Sequence, residues 1–448
     1  MDYQSVDREF VWHPYTQMRD WMADRGRLKT ISSGRAFELV DTDGRAYLDG
    51  IANMWCNVWG HGQNAVTQAM IRQIGKIPHS TLFGLGSESA ARLSRTLTGI
   101  ARGMKRSFYT DNGSSAIEAS LKMALQYWKN LGYSHKTRFV SLRHGYHGDT
   151  AGAMSVGYIE QFFGAYRPIL RPARQLPTPS CPGSSSKKEM AMTRALEAAE
   201  NALAKSAERI AAIVMESGAQ IAGGAIIYPR GYQEQIAKLC KQHNVLLILD
   251  EIATGFGRLG NMAEYVEQES PPDIACFGKA LTGGYFPLAV TMTTEKVFQA
   301  FLGDYSEGKQ LYHGHTFTGH AVGCAAALAN IEQYEKRDLI GRIRTNASYI
   351  GLRLQEFDRF NIVSDIRHKG MLAAVELGRN RRSVPRLKDG NLLGYYVMKR
   401  GLELGVFLRP LGNNLLIIPP LAMPRSKIGQ VIDAAERIVS EVDKIGIE

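Results

Sequence analysis

Four short, nearly continuous apolar runs limit what this 448-residue chain can fold into: Arg138–Leu142, Ala211–Met215, Val245–Leu249 and Ile274–Phe277. A strand with one face in water alternates apolar and polar residues, whereas a strand buried on both faces does not. The runs are separated by segments long enough to hold helices. That pattern predicts an α/β fold, with a mostly parallel sheet covered by helices on both sides. Arg106–Thr110 reads as a further strand. It is followed by the polar loop Asp111-Asn112-Gly113-Ser114-Ser115, and then by a helix with Ile117, Leu121, Leu125 and Trp128 on one face.

The organisation on either side differs. Near the N-terminus, Phe37–Val40 and Arg45–Leu48 flank Asp41-Thr42-Asp43-Gly44, a hairpin signal. From about residue 335, helical patterns surround the strand runs Met371–Val375 and Leu415–Ile418. The last helix puts Ile428, Val431, Ile432, Ala435, Ile438, Val439 and Val442 on one face. The expected division is an N-terminal segment, 1–60, that joins a small domain; a large α/β domain, 61–334; and a C-terminal α+β part, 335–448. Residues 171–188, rich in Pro, Ser and basic residues, read as an exposed loop. The five cysteines have neither metal-finger nor disulfide-framework spacing, so reduced thiols are expected. Met1-Asp2-Tyr3-Gln4 opens no secretory signal and no run reaches 18 apolar residues, so a soluble cytoplasmic protein without membrane contact is expected.

Several motifs mislead. Gly255-Phe256-Gly257-Arg258-Leu259-Gly260 matches a dinucleotide loop in letters only, because Glu251–Thr254 separates it from the strand it should follow directly. Gly278-Lys279 lacks the rest of a nucleotide-binding P-loop. The pairs His144/His147 and His313/His315 have no acid or cysteine at metal spacing, so they read as hydrogen-bonding loop residues and no metal site is expected.

The informative pair is an acid and a lysine that follow successive strands. Asp250 ends the run Val245–Leu249, and a carboxylate there is costly unless it is compensated. Lys279 follows Ile274–Phe277. In a parallel sheet both fall at the carboxyl ends of strands, where ligands bind. Pyridoxal phosphate requires such a pair: a lysine for its Schiff base and a carboxylate for its protonated pyridine nitrogen. A core salt bridge would use the same two residues. Gly113 and Ser114 at a helix N-terminus suit a phosphate, Tyr146 could stack on a ring, and Thr316 could add a hydroxyl.

At these residues the chain resembles the class III, fold type I, pyridoxal phosphate-dependent aminotransferases. The motif Asp250-Glu251-Ile252-Ala253-Thr254-Gly255-Phe256-Gly257-Arg258 followed by Gly278-Lys279 carries the likeness, which runs from about residue 10 to the C-terminus. Within that class, Trp12-His13-Pro14-Tyr15-Thr16-Gln17-Met18 is similar to the N-terminal signature of the enzymes that aminate 8-amino-7-oxononanoate to 7,8-diaminononanoate in biotin biosynthesis. Tyr146–Thr150, His313–Gly319 and Arg409–Gly412 match as well. The resemblance implies a large domain with a mostly parallel sheet and a smaller α+β domain. It implies that Lys279 carries the Schiff base and moves the proton, while Asp250 pairs with the pyridine nitrogen. Gly113, Ser114, Tyr146 and Ile252 would hold the cofactor. Tyr15, Trp55, Tyr146, Gly314 and Arg409 would face substrate, with Tyr15 assisting catalysis and Arg409 taking the carboxylate as a planar fork. His315 and Thr316 would reach the cofactor of a second subunit, which implies a homodimer. One departure stands out: many relatives have two adjacent tryptophans where this chain has Met54-Trp55. The donor, S-adenosylmethionine or lysine, stays open on this reading, as do other ω-amino acid substrates.

The net charge of +11 raises one more class, a nucleic-acid binder. The only dense basic run, Arg379–Lys388, lacks interleaved aromatics and a preceding DNA-binding motif. It reads as a solvated loop, and no nucleic acid is expected.

Overall fold

A computed structural model describes residues 2–23, 29–181, 185–378 and 385–448. Its largest sheet has seven strands: β1 (Arg106–Thr110), β2 (Arg138–Leu142), β3 (Arg174–Leu176), β4 (Ile210–Glu216), β5 (Leu246–Asp250), β6 (Ile274–Phe277) and β7 (Ala289–Thr293), in the order β1-β7-β6-β5-β4-β2-β3. The pairs from β6 through to β3 are parallel, and β7 runs antiparallel to both its neighbours.

Alternate residues of the central strands enter two separate cores. Ala212, Val214, Leu246, Ile248, Ile274 and Cys276 pack with Ile117, Leu121, Ala124 and Trp128 of helix α1 (Gly113–Asn130). Ile213, Met215, Leu247, Leu249, Ala275 and Phe277 pack with Ala195, Ala199 and Leu203 of α2 (Ser185–Ser206) and Ile236 and Cys240 of α3 (Tyr232–Gln242). Both faces are dry, which is why these strands carry no polar alternation.

Two features differ from the sequence reading. Residues 171–188 are not a continuous loop: Arg174–Leu176 is the edge strand β3 and α2 begins at Ser185, while 182–184 lie outside the described residues. Between β5 and β6 there is no α-helix. Phe256, Gly257 and Gly260 have positive φ, and the Phe256 and Gly257 N–H groups bond to the Met262 and Asn261 carbonyls. The connection folds back on itself because left-handed residues cannot continue a right-handed helix. Of the basic run, Arg379–Val384 lie outside the described residues; within its described part Leu387 is buried rather than solvated, and its N–H closes a turn on the Asn391 carbonyl.

The hairpin signal corresponds to antiparallel strands Glu38–Asp41 and Ala46–Asp49. Leu48 and Asp49 then pair in parallel with Val406 and Phe407 from the far end of the chain. Val363–Lys369, Leu372–Leu377 and Asn414–Ile417 form a three-stranded antiparallel sheet. The last helix, Arg425–Ile445, buries all seven residues of its expected apolar face. Among the described residues, no helix is long and apolar enough to cross a membrane.

Leu249 is fully buried immediately before Asp250. Leu249→Ala is expected to lower stability by about 2–5 kcal/mol, the cost of a core cavity, read as a reduced midpoint in chemical denaturation.

Candidate active site

The strand register brings the acids together. Asp250 is paired with Glu216 on one side and with Cys276 on the other, so the carboxyl ends of β4, β5 and β6 are level. Lys279 follows β6 after Gly278. A cavity of about 360 Å³ opens at this edge. Its lining includes Trp55, Gly113, Ser114, Tyr146, Asp250, Ile252 and Lys279, seven residues singled out from the sequence, together with Cys56, His147 and Glu216.

Asp250 does not pair with Lys279. Its Oδ2 lies 2.7 Å from His147 Nδ1, both groups are buried, and its Oδ1 accepts the Ile252 N–H at 2.9 Å. An ionised carboxylate only accepts, so Nδ1 carries the proton. The compensating partner expected for the buried acid is therefore a histidine from the loop after β2. The Lys279 amine makes no ion pair or hydrogen bond with the described residues. Its ammonium lies 5.6 Å from the centroid of Trp55, and its backbone is left-handed at φ +44°. Burial holds the lysine pKa below its usual value, with the Asp250 and Glu216 carboxylates opposing the shift. A depressed pKa raises the fraction of neutral, nucleophilic amine.

α1 points its N-terminus at the cavity. Asn112 caps it by accepting the Ser115 N–H at 2.9 Å, and the first N–H groups of a helix have no intrahelical acceptor. A Cβ on Gly113 would come within 2.9 Å of Ile252. Gly148, at φ +121°, passes so close to Ser114 that a Cβ would sit 2.0 Å from its Oγ. The Ser114 hydroxyl accepts the Asp149 N–H at 3.2 Å. A close backbone approach, free N–H groups and a helix dipole form an anion cradle. With an available amine and a buried acid across from it, these residues fit pyridoxal phosphate.

Tyr15 does not line the cavity, yet it is tied to its rim. Its hydroxyl and that of Tyr146 both donate to Asp149 Oδ1, at 2.5 and 3.1 Å. Burial, and then the neighbouring carboxylate, push both phenols well above their usual pKa, so they remain protonated donors. Arg409 also lies outside the lining. It donates to the Met54 sulfur at 3.4 Å and has no acidic partner among the described residues. Gly314, His315 and Thr316 are not brought into the cavity of their own chain. Gly314 packs against Phe83, the Thr316 carbonyl accepts from His79, and His315 Nε2 lies 3.8 Å from Asp111 at the rim.

Trp55 is presented by an unusual turn. Ala52, Asn53, Met54 and Trp55 have φ of 49°, 47°, 62° and 74°, a left-handed stretch without glycine. Each such residue costs roughly 1–2 kcal/mol. The stretch is secured by the Trp55 N–H on the Ile51 carbonyl and by Asp49 accepting the Ile51 N–H.

Glu216 and Asp149 were missed in the sequence, and His147 was read only as a loop hydrogen-bonder. For Glu216 the signal was present: it ends the apolar run Ala211–Met215 just as Asp250 ends its own. Asp149 and His147 become visible only once the loop after β2 is folded over the sheet edge.

The aminotransferase class-III family model matches residues 23–439. The adenosylmethionine-8-amino-7-oxononanoate aminotransferase of Geobacter sulfurreducens is 39% identical over 97% of this chain and 97% of its own length. That of Methanocaldococcus jannaschii is 37% identical over 98% and 97%. The crystal structure of the Methanocaldococcus enzyme superposes with a TM-score of 0.91 at 36% identity, covering 98% of each chain. An amine transaminase from an uncultivated Pseudomonas species, solved in its PLP-bound form, gives 0.88 at 31% identity, covering 98% of this chain and 99% of its own.

Gly148→Ala is expected to displace the Ser114 hydroxyl. Titrating the apo-protein with pyridoxal phosphate should show affinity at least about tenfold weaker, the loss expected for a charge-assisted hydrogen bond.

Proposed function

The chain belongs to the class III aminotransferases, and on that footing we propose that it transfers an amino group from S-adenosylmethionine to the ketone of 8-amino-7-oxononanoate, giving 7,8-diaminononanoate for biotin synthesis. The observation that carries the reading is the unpaired Lys279 amine, which shares one cavity with the buried Asp250 and the N-terminus of α1. The choice of substrates rests on the full-length likeness to enzymes named for them.

Bound pyridoxal phosphate supplies an aldehyde for the amine and an electron-withdrawing ring. The chain does the rest. Lys279 holds the cofactor and moves the proton at the substrate carbon. Asp250, oriented by His147, keeps the ring nitrogen protonated. Gly113 and Ser114 take the phosphate, Tyr146 and Ile252 cover the ring, and Trp55 and Tyr15 wall the substrate. An arginine without an acid suits a carboxylate, and Arg409 is assigned to the acceptor's. Gly314, His315 and Thr316 lie outside their own cavity, so they are assigned to the site of a second copy in a homodimer. The enzyme is placed in the cytoplasm.

Lys279→Ala should abolish both half-reactions and the visible absorbance of the bound cofactor. Retention of either would remove Lys279 from this role. Arg409→Ala should raise KM for 8-amino-7-oxononanoate by about 10–100-fold, the loss of a hydrogen bond to a charged group, with kcat much less affected. Mixing the holoenzyme with S-adenosylmethionine or with lysine, and following the visible band, identifies the donor. Bleaching by lysine alone would overturn the donor assignment.

A further inference from the structure

Glu216 is a buried acid that the proposed reaction does not use. It ends β4 next to Asp250, lines the same cavity and is 4% exposed. It makes no ion pair among the described residues. Its Oε1 accepts the Tyr146 N–H at 3.2 Å and its Oε2 accepts the Ile221 N–H at 3.0 Å. The charged and titratable groups facing it are His147 and Tyr146 from the loop after β2, Asp250 from β5, Lys279 from beyond β6 and Tyr228. Burying a carboxylate with two backbone N–H groups for partners is expensive. A glutamine in its place would turn an N–H₂ donor towards one of those two N–H groups, whereas an ionised carboxylate accepts at both oxygens.

We propose that Glu216 is a positioning residue: its Oε1 accepts from the loop carrying Tyr146 and His147, its Oε2 accepts from Ile221 in the segment after β4, and together they tie that loop to the sheet edge beside the cofactor's place. The inference rests on the assignment of this cavity to pyridoxal phosphate. Protonation would turn one of these oxygens into a donor facing an N–H and break the tie between the loop and the segment after β4.

Burial, followed by the repulsion of Asp250 and opposed by His147, pushes the Glu216 carboxyl up to about 7. The positioning is therefore lost as pH falls through about 7 and gained as pH rises through it. For stability the sign is the reverse: a raised carboxyl pKa adds stability below the unfolded value that disappears as pH rises through the folded one.

The test compares the wild-type protein with Glu216→Gln and Glu216→Asp. In wild type, kcat/KM should show an ascending limb near pH 7; in Glu216→Gln that limb should be lost. The affinity of apo Glu216→Gln for pyridoxal phosphate at pH 8 should be about tenfold weaker, the order expected when a charge-assisted bond is removed. Glu216→Asp, still acceptor-only, should recover most of the affinity. Unchanged affinity in a folded Glu216→Gln, even with a lowered Tm, overturns the inference, as does equal weakness of the Asp and Gln variants. If Glu216→Gln does not fold, a wild-type rate that is flat between about pH 6 and 8 overturns it, since titration there is what linkage requires. Failure of wild type itself to bind pyridoxal phosphate would instead remove the underlying cofactor assignment.

Discussion

Two carboxylates, Glu216 and Asp250, end adjacent strands of a sheet that is dry on both faces, and the site is arranged around the cost of burying them. Neither forms an ion pair with Lys279. Asp250 takes the His147 imidazole and the Ile252 N–H; Glu216 takes two backbone N–H groups. Because the acids are satisfied locally, the lysine amine is left without a fixed partner in a buried, anionic setting. That setting suits the part proposed for it, which asks the amine to leave the cofactor, accept a proton and return. Pairing Lys279 tightly with Asp250 would have stabilised both ions and removed the nucleophile.

The backbone around the cavity accepts strain to make this possible. Lys279 and the whole Ala52–Trp55 turn are left-handed without glycine, while Gly148 occupies a point where no side chain fits. Strain of this kind persists only where surrounding contacts overdetermine it, and it concentrates where a ligand must be met at a fixed angle. Here it brings the Trp55 ring within 5.6 Å of the amine.

Much of the sheet was legible from the sequence because burial on both faces leaves an unbroken apolar signature. The ends of β4, β5 and β6 could be read from the first polar residue after each run. Asp250 and Lys279 followed directly, and the same rule would have given Glu216. What could not be read was which partner satisfies which acid. His147 reaches Asp250 from a loop a hundred residues earlier, and no periodicity encodes that approach. The connection from β5 to β6 was misjudged for a local reason: its length suits a helix, but its positive-φ residues do not. Tyr15 and Arg409 were recognisable only by resemblance, since their neighbours come from distant parts of the chain.

The pairing of Leu48 and Asp49 with Val406 and Phe407 has a consequence for how the molecule is made. The turn that carries Trp55 leaves directly from one of these strands, and Arg409 follows the other by two residues. Nearly the whole chain must leave the ribosome before this pair can close, and contacts so distant in sequence form slowly. The floor of the cavity, built from consecutive strands and loops of the central sheet, can be assembled while synthesis continues. The segments carrying Trp55 and Arg409, the residues proposed to meet the substrate, are thus brought together late in folding, and a nascent chain stopped short of that pairing would have the floor of the cavity without them.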